Sequence, residues 1–155
     1  MRVEIEPGNA TLLHDIYAVY LNGVLCNFVG SSSRRVWRCG EYVVKLDCTY
    51  DSDLNQNKSE AFTYLKLHPD HEKYFAKVYD YGQVNGYIDY VVQEYLDGER
   101  DPDGKYWSLL DEVSADYDIT DLFNGQYMMI DGKPVLHDYG CIREITRHKL
   151  FKEVA

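Results

Sequence analysis

The chain has 155 residues, one domain's worth, and 45% of them are apolar, including 15 Tyr, so it is globular and long enough to bury a core of its own. Its 16 basic and 26 acidic residues leave a net charge of −10, which excludes a binder of nucleic-acid backbones, since that role needs a basic face. No apolar run approaches the roughly 18–20 residues needed to span a bilayer, and the N-terminus MRVEIEPGNATLLHD lacks the apolar stretch of a secretory signal.

In chain order, TLLHDIYAVYL (11–21) places Leu12, Leu13, Ile16, Val19 and Tyr20 at helical spacing and predicts a short amphipathic helix ended by Asn22-Gly23. Three strands follow: VLCNFV (24–29), RVWRC (35–39) and YVVKLD (42–47), an antiparallel meander. A helix over roughly 53–67 comes next, with Asp51, Ser52 and Asp53 as N-cap candidates. Leu54, Ala61, Phe62 and Leu65 form its apolar stripe, and His68-Pro69 stops it. FAKVYDYG (75–82) and YIDYVVQEYL (87–96) read as strands joined near Asn85-Gly86. A weak helix is expected over 104–115 around Trp107, Leu109, Leu110 and Val113. The hairpin YMMI-DG-KPVLH and a short helical tail close the chain. The pattern predicts an α+β arrangement around an antiparallel sheet.

The four cysteines Cys26, Cys39, Cys48 and Cys141 form no CxxC pair, so buried reduced thiols in a cytoplasmic protein are expected. His68 and His71 flank a Pro, which favours a loop over a metal pair. The acids Glu99, Asp101, Asp103, Asp111, Glu112, Asp116, Asp118 and Asp121 face only Arg100 and Lys105, the mark of a solvated acidic face. Asp116-x-Asp118 opens like a calcium loop, but Asp121 falls where that loop needs Gly and Tyr127 where it needs Glu.

Asp131-Gly132 is a two-residue hairpin turn, because both central positions require φ > 0. Pairing Ile130 with Lys133 then sets Gln126 opposite His137, with Asp138 one step beyond, beside Gly125. Asp121 lies in the loop that leads in. Two carboxylates and an amide oxygen at one end of a hairpin suit a hard cation such as magnesium.

The segment TDLFNGQYMMIDGKPVLHDYG resembles the catalytic loop, hairpin and metal-binding DFG turn of kinase-like phosphotransferases. The resemblance implies Asp121 as the catalytic carboxylate, Gln126 at the metal-binding Asn position, and Asp138-Tyr139-Gly140 as the metal turn. YVVKLD resembles the VAIK strand, which implies Lys45 as the phosphate-binding and catalytic lysine, and SEAFTYLKLH the next helix, which implies Glu60 as its ion-pair partner. FVGSSSRRVWR resembles the loop over the phosphates, implying Ser31, Ser32, Ser33 and Val36 as nucleotide contacts. VVQEYLDG resembles the hinge, implying adenine contacts from the backbones around Glu94 and Leu96. Each residue type fits phosphoryl transfer, which requires positioned positive charge, magnesium and a carboxylate near the acceptor hydroxyl.

What the resemblance implies is an α+β, protein-kinase-like fold: an antiparallel N-lobe sheet with one main helix, and a minimal C-lobe with catalytic loop and hairpin. It would form one compact domain over 1–155, N-lobe-like at 24–97 and truncated C-lobe-like at 98–155. The implied ligands are ATP and Mg2+, held between the N-lobe sheet and the Asp121–Asp138 hairpin, with a protein or small-molecule hydroxyl as acceptor. The chain departs from the family pattern in its single Gly30, in Ile119 two residues before Asp121, in Gln126, and in the 22 residues between Gly98 and Asp121. After Gly140, 15 residues follow, without an APE-like motif. The alternative is therefore a pseudokinase-like protein that binds or inhibits a partner. A third reading, resting on charge alone, is an acidic decoy for a basic protein. Neither nucleic acid nor membrane is an expected partner.

Overall fold

A computed structural model describes residues 1–31, 33–48, 55–120, 122 and 126–154, the last without its side chain. The chain divides into two compact units, Met1–Lys58 with Val78–Tyr95, and Ser59–Lys77 with Leu96–Ala155. It is a mixed α/β protein with antiparallel sheets and few helices.

The first unit contains β1 (Val3–Glu6), β2 (Ala18–Leu21), β3 (Val24–Leu25), β4 (Asn27–Ser31), β5 (Arg35–Cys39), β6 (Tyr42–Cys48), β7 (Val78–Val84) and β8 (Ile88–Glu94). β1-β2-β3 make a three-stranded sheet and β4-β5-β6-β8-β7 a five-stranded one. The meander β4-β5-β6 follows the sequence reading, except that the run 24–29 breaks at Cys26 and serves two sheets. Val24 and Leu25 pair with β2, and Asn27 onward pairs with β5. Gly30 and Ser31 belong to β4, so the connection to β5 is shorter than the expected Gly30–Arg34 loop.

The helix expected over 11–21 is not formed. A single 3-10 turn, Leu13–Asp15, precedes β2, which pairs antiparallel with β1. β1 itself had no counterpart in the sequence reading. Val19 and Leu21 are buried at strand spacing, while Ala18 and Tyr20 are half-exposed. The pairing offered by Val3–Glu6 decides the outcome, since β-branched and aromatic residues lie well on a pleated surface. Ile5, Ile16, Val19 and Leu21 pack with Trp37, Val44, Leu46, Ile88 and Val92 to form the core of this unit.

The five-stranded sheet therefore has two different faces. Residues directly opposite one another in an antiparallel pair share a face. Trp37, Val44 and Val92 lie on the core face. The opposite face carries Val36 on β5, then Val43, Lys45 and Asp47 on β6, opposite Gln93, Val91 and Asp89 on β8. Lys45, Asp47, Asp89 and Gln93 are all buried. β7 and β8 start at 78 and 88, later than the runs predicted at 75 and 87, and turn through Asn85 (φ 53°) and Gly86 (φ 83°).

Helix α1 (Gln56–Leu65) starts in the first unit and, from Ser59, belongs to the second. The N-cap candidates Asp51, Ser52 and Asp53, and Leu54 of the predicted stripe, lie outside the described residues. Asn55 does the capping that is seen: its Oδ1 accepts the Lys58 N–H at 3.0 Å. The predicted apolar stripe is also revised. Leu65 is 69% exposed, whereas Asn57, Ser59, Glu60 and Thr63 are buried with Ala61. α1 is thus held by hydrogen bonds as much as by apolar packing.

The second unit contains helix α2 (Trp107–Ala115), the hairpin β9 (Tyr127–Ile130) and β10 (Lys133–Leu136), and helix α3 (Glu144–Val154). Leu110 and Val113 face the interior from α2, while Leu109 is exposed. Phe75, Tyr127, Leu136 and Tyr139 are fully buried. Phe75 bridges Leu136 in parallel, and Ala76 N–H donates to Leu136 O at 2.7 Å. Glu99 exchanges backbone hydrogen bonds with Met129, extending the hairpin by one short bridge. No helix among the described residues is long and apolar enough to cross a membrane.

All four cysteines are free thiols, but Cys26 alone is buried and the others are half-buried. Burial, with Cys39 alongside, pushes the Cys26 thiol up to about 12. His68 and His71 belong to a loop: the Tyr117 hydroxyl accepts the His68 N–H at 2.9 Å and lies 2.6 Å from His71 Nδ1.

Candidate functional site

In the first unit, Lys45 occupies the middle of β6, with Val36 directly opposite on β5 and Val91 opposite on β8. A lysine 6% exposed at the centre of a sheet is not an edge residue snorkelling to water. Behind it lies a network of buried polar side chains that sequence reasoning missed. The Asn57 carboxamide donates to Lys45 O at 2.8 Å and to Asp89 O at 3.1 Å, and accepts from the Arg34 guanidinium at 3.0 Å. Asn55 Nδ2 donates to Asp89 Oδ2 at 2.6 Å. Asp47 accepts the N–H groups of Cys48 and Gln56 at 2.8 and 3.3 Å. Burial pushes the Asp47 carboxyl above its ordinary 3.8, against the pull of the Cys48 N–H, the Arg34 charge and the Gln56 N–H. Buried charges persist where they are hydrogen-bonded, as these are.

Ser31 and Ser33 are exposed at the β4–β5 turn, with Ser32 outside the described residues. Ser31 pairs with Arg35, and the Ser33 hydroxyl donates to Gln56 Oε1 at 3.2 Å. Arg34, between them and the strand, is buried against Asn57. Side-chain hydrogen bonds from Ser33 and Arg34 thus fix the residues that lead into β5. Glu94 ends β8 opposite Tyr42, and the next residue, Tyr95, donates its N–H to Glu41 O at 2.7 Å. Leu96 is half-buried and opens the second unit's main segment.

In the second unit, Glu60 is fully buried and its Oε2 accepts the backbone N–H of Tyr139 at 3.0 Å. Tyr139 is itself fully buried, donates its hydroxyl to Ala76 O at 2.8 Å, and meets the Phe75 ring edge-to-face at 4.9 Å. The Asp138-Tyr139-Gly140 segment is therefore fixed by its middle residue, with Asp138 half-buried at its head.

The hairpin register follows the sequence reading: Ile130 pairs with Lys133 and Tyr127 with Leu136. Asp131 (φ 50°) and Gly132 (φ 77°) make the turn. His137 N–H donates to Gln126 O at 2.9 Å, so Gln126 is opposite His137 and next in line to Asp138. Gln126 is buried. Asp121 and Gly125 lie outside the described residues. The approach to Asp121 is placed, however: Ile119 is buried and bridges Ile142, and Thr120 N–H donates to Cys141 O at 2.7 Å. The chain just before Asp121 thus runs beside the chain just after Gly140.

Asp138 and Gln126 carry a carboxylate and a carboxamide oxygen, groups of the kind a hard divalent cation takes. Among the described residues no group of three or more His, Cys, Asp or Glu is gathered as a metal site.

No family model matches the chain, and no curated protein matches it in sequence. Among solved structures, 53 chains match in fold. One is the co-crystal structure of WbdD with the kinase inhibitor LY294002, with a TM-score of 0.58 at 19% identity over 82% of this chain. The chain spans about a third of that protein, 35% of its length. A likeness at this identity describes the fold.

Proposed function

We propose that this protein is a small ATP- and magnesium-dependent, kinase-like phosphotransferase acting on a protein or small-molecule hydroxyl. The observation that carries the reading is the hydrogen bond from the Tyr139 N–H to the buried Glu60 carboxylate. It ties the helix bearing the proposed ion-pair glutamate to the proposed metal turn, which a surface hairpin with solvated acids has no reason to do. The fold likeness to WbdD, solved with a kinase inhibitor, supports the same reading.

In this reading Lys45, paired with Glu60, neutralises the nucleotide phosphates, helped by Ser31, Ser32 and Ser33. Val36 and the backbones around Glu94 and Leu96 contact the base. Asp138, with Gln126, holds magnesium, which when bound neutralises charge on the transferring phosphoryl group. Asp121 orients the acceptor hydroxyl.

A second reading, a pseudokinase-like protein that binds nucleotide and acts on a partner, is favoured by Gln126. Its carboxamide is one methylene longer than Asn, and magnesium demands near-ideal geometry.

The test is a thermal-shift titration with ATP, with and without magnesium. A ligand that binds the native state alone raises the unfolding temperature. The expected result is a magnesium-dependent rise that is lost in Lys45→Met and Asp138→Asn; no rise in the wild type refutes both readings. Labelled ATP then separates them, since transfer at the buffer rate with a retained thermal shift selects the second.

A further inference from the structure

The second unit holds a cavity of about 220 Å³ whose walls include none of the proposed nucleotide contacts. Three elements line it. Lys73 and Tyr74 come from the 3-10 turn Glu72–Tyr74, and Tyr106 and Leu109 from the start of α2. Gly132, Lys133 and Pro134 come from the hairpin turn and the start of β10. The Tyr106 hydroxyl reaches Gly132 O at 3.5 Å. The turn is the end of the hairpin away from Asp138, which follows Leu136 and His137 at the far end of β10.

Charge sets this cavity apart from the rest of the chain. The protein carries a net −10, yet two lysines line the cavity and no acid does. Glu72 and Asp131, close in sequence to these lysines, are exposed and outside the lining. Among the described residues neither Lys73 nor Lys133 forms an ion pair. The Lys73 ammonium lies 5.2 Å from the centroid of the Tyr74 ring, and that of Lys105 lies 5.6 Å from the Tyr106 ring. Tyr106 caps α2 without a side-chain hydrogen bond, so the positive end of that helix adds to the same sign.

Size and surroundings narrow the occupant. An apolar cavity of roughly 150 Å³ holds benzene, so 220 Å³ admits one aromatic ring with a small substituent. A protein interface continues as apolar surface around its anchor. Here Leu109 alone, of the residues lining the cavity, is an exposed large apolar side chain. A mostly apolar wall with a few polar groups that fix orientation is the pattern of a small-molecule site.

We propose that this cavity binds a small aromatic acid, with the ring against Tyr74, Tyr106, Leu109 and Pro134 and the carboxylate held by the Lys73 and Lys133 ammonium groups. The site is separate from the proposed nucleotide contacts and does not depend on them.

The experiment is an amide NMR titration of the full chain with benzoate, phenylacetate and cinnamate, each beside its uncharged carboxamide. At least one acid is expected to shift the amides of Lys73, Tyr106, Leu109 and Lys133 saturably while those around Lys45 stay in place. Its carboxamide binds about tenfold more weakly, the loss of a charge-assisted hydrogen bond. Added salt weakens the acid and spares the carboxamide. The double variant Lys73→Gln, Lys133→Gln changes two exposed side chains, so it retains the fold, and it brings acid and carboxamide within about twofold. No saturable shift at those amides with any of the acids, up to their solubility limits, overturns the site. An acid bound no better than its carboxamide, or unaffected in the double variant, overturns carboxylate recognition by the lysines. Tighter binding of acetyl-glutamyl-tyrosine amide than of every free acid reassigns the cavity to an acidic peptide and overturns the proposal. Shifts at the same amides on concentrating the unliganded protein reassign it to a second copy of the chain, with the same consequence.

Discussion

The Glu60 carboxylate accepts the backbone N–H of Tyr139 at 3.0 Å across 79 residues of sequence, and both residues are fully buried. Glu60→Ala strands the Tyr139 N–H and is expected to cost about 1–3 kcal/mol of stability. Glu60→Gln keeps an acceptor at the same place and should cost clearly less. Urea unfolding of the three proteins measures this; an alanine variant as stable as the wild type would show that the bond contributes nothing.

Asn57 bridges the carbonyls of Lys45 and Asp89, on the two neighbouring inner strands β6 and β8, and receives Arg34. Truncation to alanine removes a donor from two carbonyls and an acceptor from a buried guanidinium. The expected loss is about 2–4 kcal/mol, from several buried polar groups losing partners together. Asn57→Asp retains only the acceptor side and should fall between. A loss below about 0.5 kcal/mol, the range of ordinary surface substitutions, would contradict this account.

Asp47 gives the protein a stability that depends on pH. Burial holds its carboxyl above 3.8, the Cys48 N–H, Arg34 and Gln56 N–H pull it down, and nearby Asp89 adds a further upward push. A carboxyl with a higher pKa folded than unfolded binds its proton more tightly in the folded chain. The contribution of Asp47 is therefore most favourable below the unfolded value of 3.8, declines as pH rises through the raised folded value, and levels off beyond it. The stability difference between wild type and Asp47→Asn should fall over that window. Unfolding midpoints across the acid range check it, and a difference that rises with pH rejects it.

Gly98 has no freedom to gain a side chain. A Cβ there would meet the Met129 carbonyl oxygen and Ile130 Cδ1, because residues 98 and 99 run against β9. Gly98→Ala must push backbone away from backbone and should cost about 1–3 kcal/mol, as overpacking does. Gly30→Ala, with open space around its Cβ position, is the control and should be nearly silent. Thermal unfolding of the pair distinguishes them.

The hairpin was the most legible part of the chain. Asp131-Gly132 demanded two positive φ values, so the turn fixed the register, and the register placed Gln126 beside Asp138. The β4–β5–β6 meander was legible for a similar reason, since short turns between β-branched runs leave few other pairings. The 11–21 segment was misread because its apolar residues fit a helical stripe and a strand alike. Its partner strand, Val3–Glu6, was hidden in a charged stretch with little apolar signal.

The sequence by itself determined the turn chemistry, the β4–β5–β6 meander and the identity of the charged residues that mark the candidate site, because these depend on local backbone preference and residue type. Tertiary structure alone decided what those residues touch. That Lys45 is buried opposite Val36, that Glu60 accepts the Tyr139 amide, and that Gln93 is buried with neither amide atom hydrogen-bonded among the described residues are consequences of distant segments meeting. The polar face of α1 was invisible for the same reason. A buried hydrogen-bonded Asn or Glu and a solvated one are the same letter, and long-range contacts alone distinguish them.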